Sequence, residues 1–258
     1  MARRLASLLV VALVALSACG SPSTGGLTDP KDILVKSVDA IQAAKTFALT
    51  GEVSGKVHVD FSGRGSGAAL DLAGTTIQGA VDLEGGTAHV TLGAPALFGV
   101  GADVIVAGGV TYTRVTGPIS RTNKYTKQAS SAMGLPADPK QAVADLKAGL
   151  DKLTTPPTKD ADESCGGTDC YRLTLKVASS DLGSISSLGS IGGAASGAPG
   201  VSGAGTVDLW VRKDNLRPVK IVVALDAGGQ GSGSVTLVLS NFGAPVAILA
   251  PPPDQIEG

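Results

Sequence analysis

The feature that most constrains this chain is a hydrophobic period of two that keeps returning. From residue 47 to 60, Phe47, Leu49, Val53, Val57 and Val59 fall on one side of an extended chain, while Thr50, Glu52, Ser54, Lys56, His58 and Asp60 fall on the other. Ile77, Val81 and Leu83 alternate in the same way with Gln78, Asp82 and Glu84, and Ala88, Val90 and Leu92 with Thr87, His89 and Thr91. Such alternation belongs to antiparallel strands with one dry and one wet face. Gly85-Gly86 and Gly108-Gly109 supply turns, so 102–107 and 110–115 read as a further hairpin. Strands are expected again near 169–178, 206–212, 218–226, 233–240 and 245–249, making about nine or ten in all.

Two segments carry a helical period instead. Asp29-Pro30 places an N-cap before a first-turn proline, and Leu34, Val38 and Ile41 then recur on one face, which predicts a helix over about 30–45. Asp138-Pro139 repeats the device ahead of Val143, Leu146, Leu150 and Leu153, predicting a second helix over about 138–153 that Pro156-Pro157 stops. The expected class is α+β, with a large one-faced sheet and only two helices to cover it. If the sheet curls around them, its apolar face leaves a groove lined by Val, Leu, Ala and Gly; a fully packed core is the other arrangement the pattern allows.

The N-terminus addresses the chain. Arg3 and Arg4 precede an apolar run from Leu5 to Leu16, which closes on Leu16-Ser17-Ala18-Cys19. A charged start, a short apolar stretch and small residues before a cut describe a secretory signal. The cysteine makes it a lipobox, so 1–18 is read as a lipoprotein signal peptide and Cys19 as the acylated lipid anchor. Residues 19–28, rich in Gly and Ser, read as a tether, 29–250 as one folded domain and 251–258 as a C-terminal tail. At about 0.8 kcal/mol per buried methylene, two or three acyl chains hold such a protein on the membrane. The expected location is the extracytoplasmic face of the cell membrane.

Composition narrows the function. The formal charge is -1 with basic residues scattered, which argues against nucleic acid as a partner. Aromatics are 3% against 36 glycines, leaving few rings to grip sugars. Cys165 and Cys170 are an even pair in an exported chain and read as a structural disulfide, stabilising by about 2 kcal/mol through its short loop. His58 and His89 lack ligand spacing to the cysteines and sit on wet strand faces, so no metal is expected. With no Gly-x-Ser-x-Gly elbow and no Ser/His/Asp arrangement in view, no enzyme and no cofactor are expected. The low-complexity segment from Ser179 to Gly205 reads either as a solvated linker or as a flap beside an opening.

Thr206-Val-Asp-Leu-Trp-Val-Arg212, Arg217-Pro-Val-Lys-Ile221 and Val235-Thr-Leu-Val-Leu-Ser-Asn-Phe-Gly-Ala-Pro-Val246 resemble the closing strands of the LppX/LprAFG lipoproteins of mycobacteria and other actinobacteria. The order of lipobox, tether, helix, strands, a Tyr-bearing strand at Val110-Thr-Tyr-Thr113, a second helix and more strands agrees as well. The resemblance implies a curved antiparallel half-barrel with helices packed on its concave face, similar to the lipoprotein carrier LolA. It further implies that an acylated lipid or glycolipid is bound in the hollow and carried across the envelope, with an envelope transport protein as a possible partner. Segment 179–205 departs from the family, standing where an ordinary helical connection is expected. The residues expected to line the cavity are Leu34, Val38, Ile41, Val53, Val57, Val81, Val90, Val143, Leu146, Leu150, Leu175, Leu209, Ile221 and Val223. The competing reading is an anchored, non-catalytic interaction module with a packed core and no lipid.

Overall fold

The computed structural model describes residues 26–59, 68–118, 120–130, 138–150, 153, 155–177, 204–226, 228 and 231–257. Cys19, the signal and residues 19–25 of the tether lie outside the described residues, as does most of the 179–205 segment.

Helix α1 spans Pro30–Ala44, and the Asp29 carboxylate caps it by accepting from the Lys31 and Asp32 N–H groups at 2.8 and 3.1 Å. It stops at Lys45, whose φ of 66° no helix continues. Helix α2 spans Pro139–Leu150, with Asp138 accepting from the Lys140 N–H at 2.8 Å. Both helices therefore start where the Asp-Pro pairs placed them.

The strands are β1 (Thr46–Val59), β2 (Ala68–Asp71), β3 (Thr75–Asp82), β4 (Thr87–Ala94), β5 (Val100–Ala107), β6 (Val110–Thr116), β7 (Thr126–Ala129), β8 (Thr158–Lys159), β9 (Glu163–Cys165), β10 (Thr168–Val177), β11 (Ala204–Arg212), β12 (Pro218–Asp226) and β13 (Gly231–Ser240). They form one antiparallel sheet in the order β7-β6-β5-β4-β3-β1-β13-β12-β11-β10-β8, with β2 on β1 and β9 on β10. Strands β7 and β8 are its two edges, so it is not closed. The thirteen strands exceed the nine or ten expected because β2, β7, β8 and β9 have two to four residues, too few for an alternation to register.

One expected strand is corrected. Residues 245–249 continue the alternation of half-buried and exposed positions that begins at Phe242, but they pair with no strand. Gly243 N–H and the Ala244 carbonyl bond instead to Thr46, and Pro245 has no N–H to give. The chain then reaches Tyr125, which donates its N–H to the Gln255 carbonyl and accepts from the Glu257 N–H, both at 2.8 Å. Residues 251–257, read as a tail, thus run beside the start of β7.

The register sorts the sheet into two faces. Phe47, Leu49, Ile77, Val81, Leu173, Leu209, Val211 and Leu239 form one buried cluster with Ile33, Leu34, Val38 and Ile41 of α1. Helix α1 leaves β10 at Leu27, whose N–H donates to Tyr171 Oη at 2.9 Å, and delivers the chain to β1 at Thr46. Fifteen helical residues reach about 22 Å, and the four strand spacings from β10 to β1 amount to about 19 Å. The helix therefore lies crosswise, over the ends where β10 and β1 begin. Helix α2 packs on it through Val143 and Leu150 and through an ion pair between Lys147 and Asp39.

Leu173, at 0% exposure, should lose about 2–5 kcal/mol of stability on replacement by Ala. Val238, 43% exposed on the opposite face, should lose no more than about 0.5 kcal/mol. Urea unfolding of the two variants measures the difference.

Candidate functional site

Among the described residues, α1 does not extend to the far end of the strands. A groove of about 720 Å³ lies at the far end of the strands, within the range of about 300–1,000 Å³ typical of small-molecule sites. Its lining combines one cross-strand row with the intervening positions on either side of it, among them Ser54, Thr206, Ala224 and Ser234. Val177 opposes Gly205, Gly205 opposes Leu225, Leu225 opposes Gly233 and Gly233 opposes Gly55, and Thr155 stands beyond Val177. These positions share the parity of the buried core residues, so the row belongs to the concave face. One step nearer α1 runs a second row, Leu175, Val207, Val223, Val235 and Val53, in which Leu175 is part of the buried core and Val207, Val235 and Val53 pack against it.

Glycine makes the hollow. Where the inner row has Val at the neighbouring step, the groove row has Gly55, Gly205 and Gly233. A β-carbon on Gly205 would come within 2.8 Å of the Leu225 side chain, and one on Gly55, at φ 126°, within 2.3 Å of the Ser232 carbonyl oxygen. Gly55 also accepts the Leu72 N–H at 2.9 Å, a close backbone approach at the rim.

None of the side chains nominated from the sequence is in the lining of this groove. Leu34, Val38, Ile41, Val81, Val143, Leu150, Leu175 and Leu209 are buried in the core cluster, with Val53, Val90, Leu146 and Ile221 packed against it at half-burial. Val223 is half-buried. Val223, Val53 and Leu175 stand one step from the groove row, and Ile221 and Leu209 two steps. Val57 pairs through its backbone with Gly231 and Leu70, and its side chain lies outside the described residues. The missed lining left a trace in the sequence, namely glycines at strand positions whose parity calls for an apolar side chain.

The groove itself holds little titratable chemistry. Lys176 and Asp226 stand at its edge, and Asp226 caps the Gly228 N–H at 2.8 Å. No group of three or more metal-ligating side chains occurs among the described residues. Cys165 and Cys170 are joined as a disulfide that ties β9 to β10.

A dense polar cluster lies on the opposite face. Asp103 accepts from Tyr125 Oη at 2.7 Å and Arg114 at 2.8 Å, and His89 Nε2 lies 2.7 Å from its other oxygen. Burial pushes this carboxyl up, but the hydrogen bonds from Tyr125, His89 and Arg114 outweigh it and hold Asp103 below its ordinary 3.8. Burial first, and then the bond to Asp103, pushes the Tyr125 hydroxyl up to about 12. The Arg114 guanidinium stacks 4.5 Å from the Tyr125 ring. His89 is thus engaged in a structural network that holds the C-terminal segment, while His58 is exposed on β1.

No protein-family model matches the sequence, and no curated protein matches it. Solved structures do. The lipoprotein LppX of Mycobacterium tuberculosis superposes with a TM-score of 0.54 at 17% identity, covering 85% of this chain and 97% of that one. LprF from Mycobacterium bovis gives 0.52 at 18% identity, covering 86% and 96%. The unclosed sheet with helices on its concave side has the LppX/LprF-like fold. The fold expected from the closing strands is the fold observed.

Because the folded-state pKa of Asp103 is depressed, its contribution to stability is present above about pH 5 and is lost as pH falls below 4 through the folded value. Asp103→Asn should cost about 1–3 kcal/mol at pH 7. The gap to wild type should close in acid, as followed by urea unfolding between pH 7 and pH 3.

Proposed function

We propose that this protein binds an acylated lipid or glycolipid, seating an acyl chain in the groove, and carries it across the cell envelope while anchored through Cys19 to the extracytoplasmic face of the membrane. The observation that carries the reading is the glycine-floored groove continuing directly into apolar rows of the concave face. A lipid with about thirty methylenes costs on the order of 20 kcal/mol to expose to water, which forbids unaided transfer. Replacing bilayer contacts by comparable apolar contacts removes most of that cost and requires no catalytic group. The similarity in fold to a mycobacterial lipoprotein supports the same reading. The nominated side chains of α1, α2 and the inner rows would then form the wall beside which an acyl chain lies. Leu146, packed on the core at half-burial, stands in that wall.

Protein purified without its anchor should carry co-purified lipid in native mass spectrometry. Leu225→Trp, which fills the groove at a half-buried position, should cut uptake of a fluorescent diacyl lipid at least tenfold while shifting stability by less than about 1.5 kcal/mol. Leu146→Trp should also reduce uptake without unfolding the domain. Delipidated protein that takes up no labelled acyl chain at micromolar concentration would instead favour an interaction module with a packed core.

A further inference from the structure

The two ends of the sheet differ in what they can touch. At one end the chain enters, with Leu27 packed on the core and bonded to Tyr171. The charged groups there are largely paired: Lys159 and Lys213 with Asp162, Arg212 with Asp214 and Lys45 with Glu84. At the other end lie the groove and a turn that presents bare apolar surface. Residues Pro95–Leu97 form a single 3-10 turn between β4 and β5, followed by Phe98, which is 84% exposed. Phe98 holds φ 58°, a conformation that side-chain-bearing residues rarely adopt, fixed by the Gly99 N–H bonding back to the Pro95 carbonyl at 3.2 Å. Val115, 40% exposed, lies on the neighbouring strand end, where β6 pairs with the start of β5.

This turn flanks the groove. The groove residue Gly55 accepts the Leu72 N–H, and the Gly74 that follows lies against the Pro95 ring, 3.5 Å from where its β-carbon would sit. The register agrees, since Gly93 opposes Thr76, and Thr75 opposes Val53, one step from Gly55. Buried or half-buried positions hold the other described phenylalanines, Phe47 and Phe242. An isolated exposed apolar residue is unremarkable, but this one is presented by a hydrogen-bonded turn beside an apolar groove.

We infer that the Pro95–Phe98 turn is a wedge that enters a second lipid layer, facing the bilayer that anchors the protein, and brings the groove mouth to that layer. The inference rests on the lipid-carrier reading and on acylation at Cys19. From Cys19 to Gly26 the chain spans at most about 25 Å, and it enters the domain beside Tyr171. The groove residue Val177 lies on the same strand six residues further, about 20 Å away. Turning the wedge into the anchoring bilayer would need the tether stretched to nearly its full reach, whereas a facing layer is met with the tether relaxed. An aromatic side chain entering a lipid layer is favoured by the apolar area it buries, and the groove then opens where lipid can pass without crossing water.

The test uses the full acylated protein in donor vesicles of phosphatidylcholine, with flotation confirming the anchor, mixed with acceptor vesicles of the same lipid. Phe98→Trp should be quenched by brominated phosphatidylcholine placed in the acceptor vesicles, above the background from Trp210 in wild type, and not when the brominated lipid is in the donor vesicles. Phe98→Ser should slow transfer of a fluorescent diacyl lipid to acceptors at least fivefold while leaving the amount of lipid loaded unchanged. Quenching from the donor bilayer alone, quenching from neither, or wild-type transfer by Phe98→Ser would overturn the inference. If no variant loads lipid but quenching from the acceptor persists, the wedge stands and the carrier reading fails.

Discussion

The structure depends on one packing event, the crosswise docking of α1 on the concave face. Its apolar stripe of Ile33, Leu34, Val38 and Ile41 meets residues contributed by strands from β3 to β10, which a helix can reach only if the sheet bends around it. A helix with its side chains is about 10–12 Å across. Strands of nine or ten residues, such as β10 and β13, run about 30 Å. A crosswise helix therefore covers one part of the strands and leaves the remainder, and the uncovered part is where the groove lies. A helix aligned with the strands would have filled the face from end to end.

Much of this was legible in the sequence. The alternation in residues 47–60 and 77–92 identified the long strands and their dry face, and the Asp-Pro pairs placed both helix starts, because capping chemistry and side-chain period are local. What is not local was not legible. Parity says which face of a strand Leu175 or Ile221 occupies, but not how far along the strand the helix stops, so the nominated lining falls in and beside the core and the groove sits one or more rows beyond it. The alternation at 245–249 records a chain lying with one side toward the domain, and nothing in it says whether a neighbouring strand is present. Gly55, Gly205 and Gly233 on the dry parity were the available sign of the hollow.

The division of labour between the two sheet faces follows from the same geometry. The ionisable clusters, Asp103 with His89, Arg114 and Tyr125, and Arg172 with Glu163 and Asp208, lie on the convex side or at the sheet edge. There they fasten short strands and the C-terminal segment, elements that bury too little to hold themselves. The concave side is left with apolar rows and a glycine floor. On the proposed reading, such a site would work by shape and by the exclusion of water, and its specificity would come from what length and branching the hollow admits.

The central claim, that an acyl chain lies on the glycine row beyond α1, is tested most directly by photocrosslinking. A diacyl lipid carrying a diazirine near the end of one chain is loaded into the protein, irradiated, and the adducts are mapped by peptide mass spectrometry. Adducts concentrated on Val177, Leu225 and the adjoining Val223 and Val235 are the predicted result. Adducts confined to the convex face or the sheet edges, with none on those strands' concave residues, would contradict it.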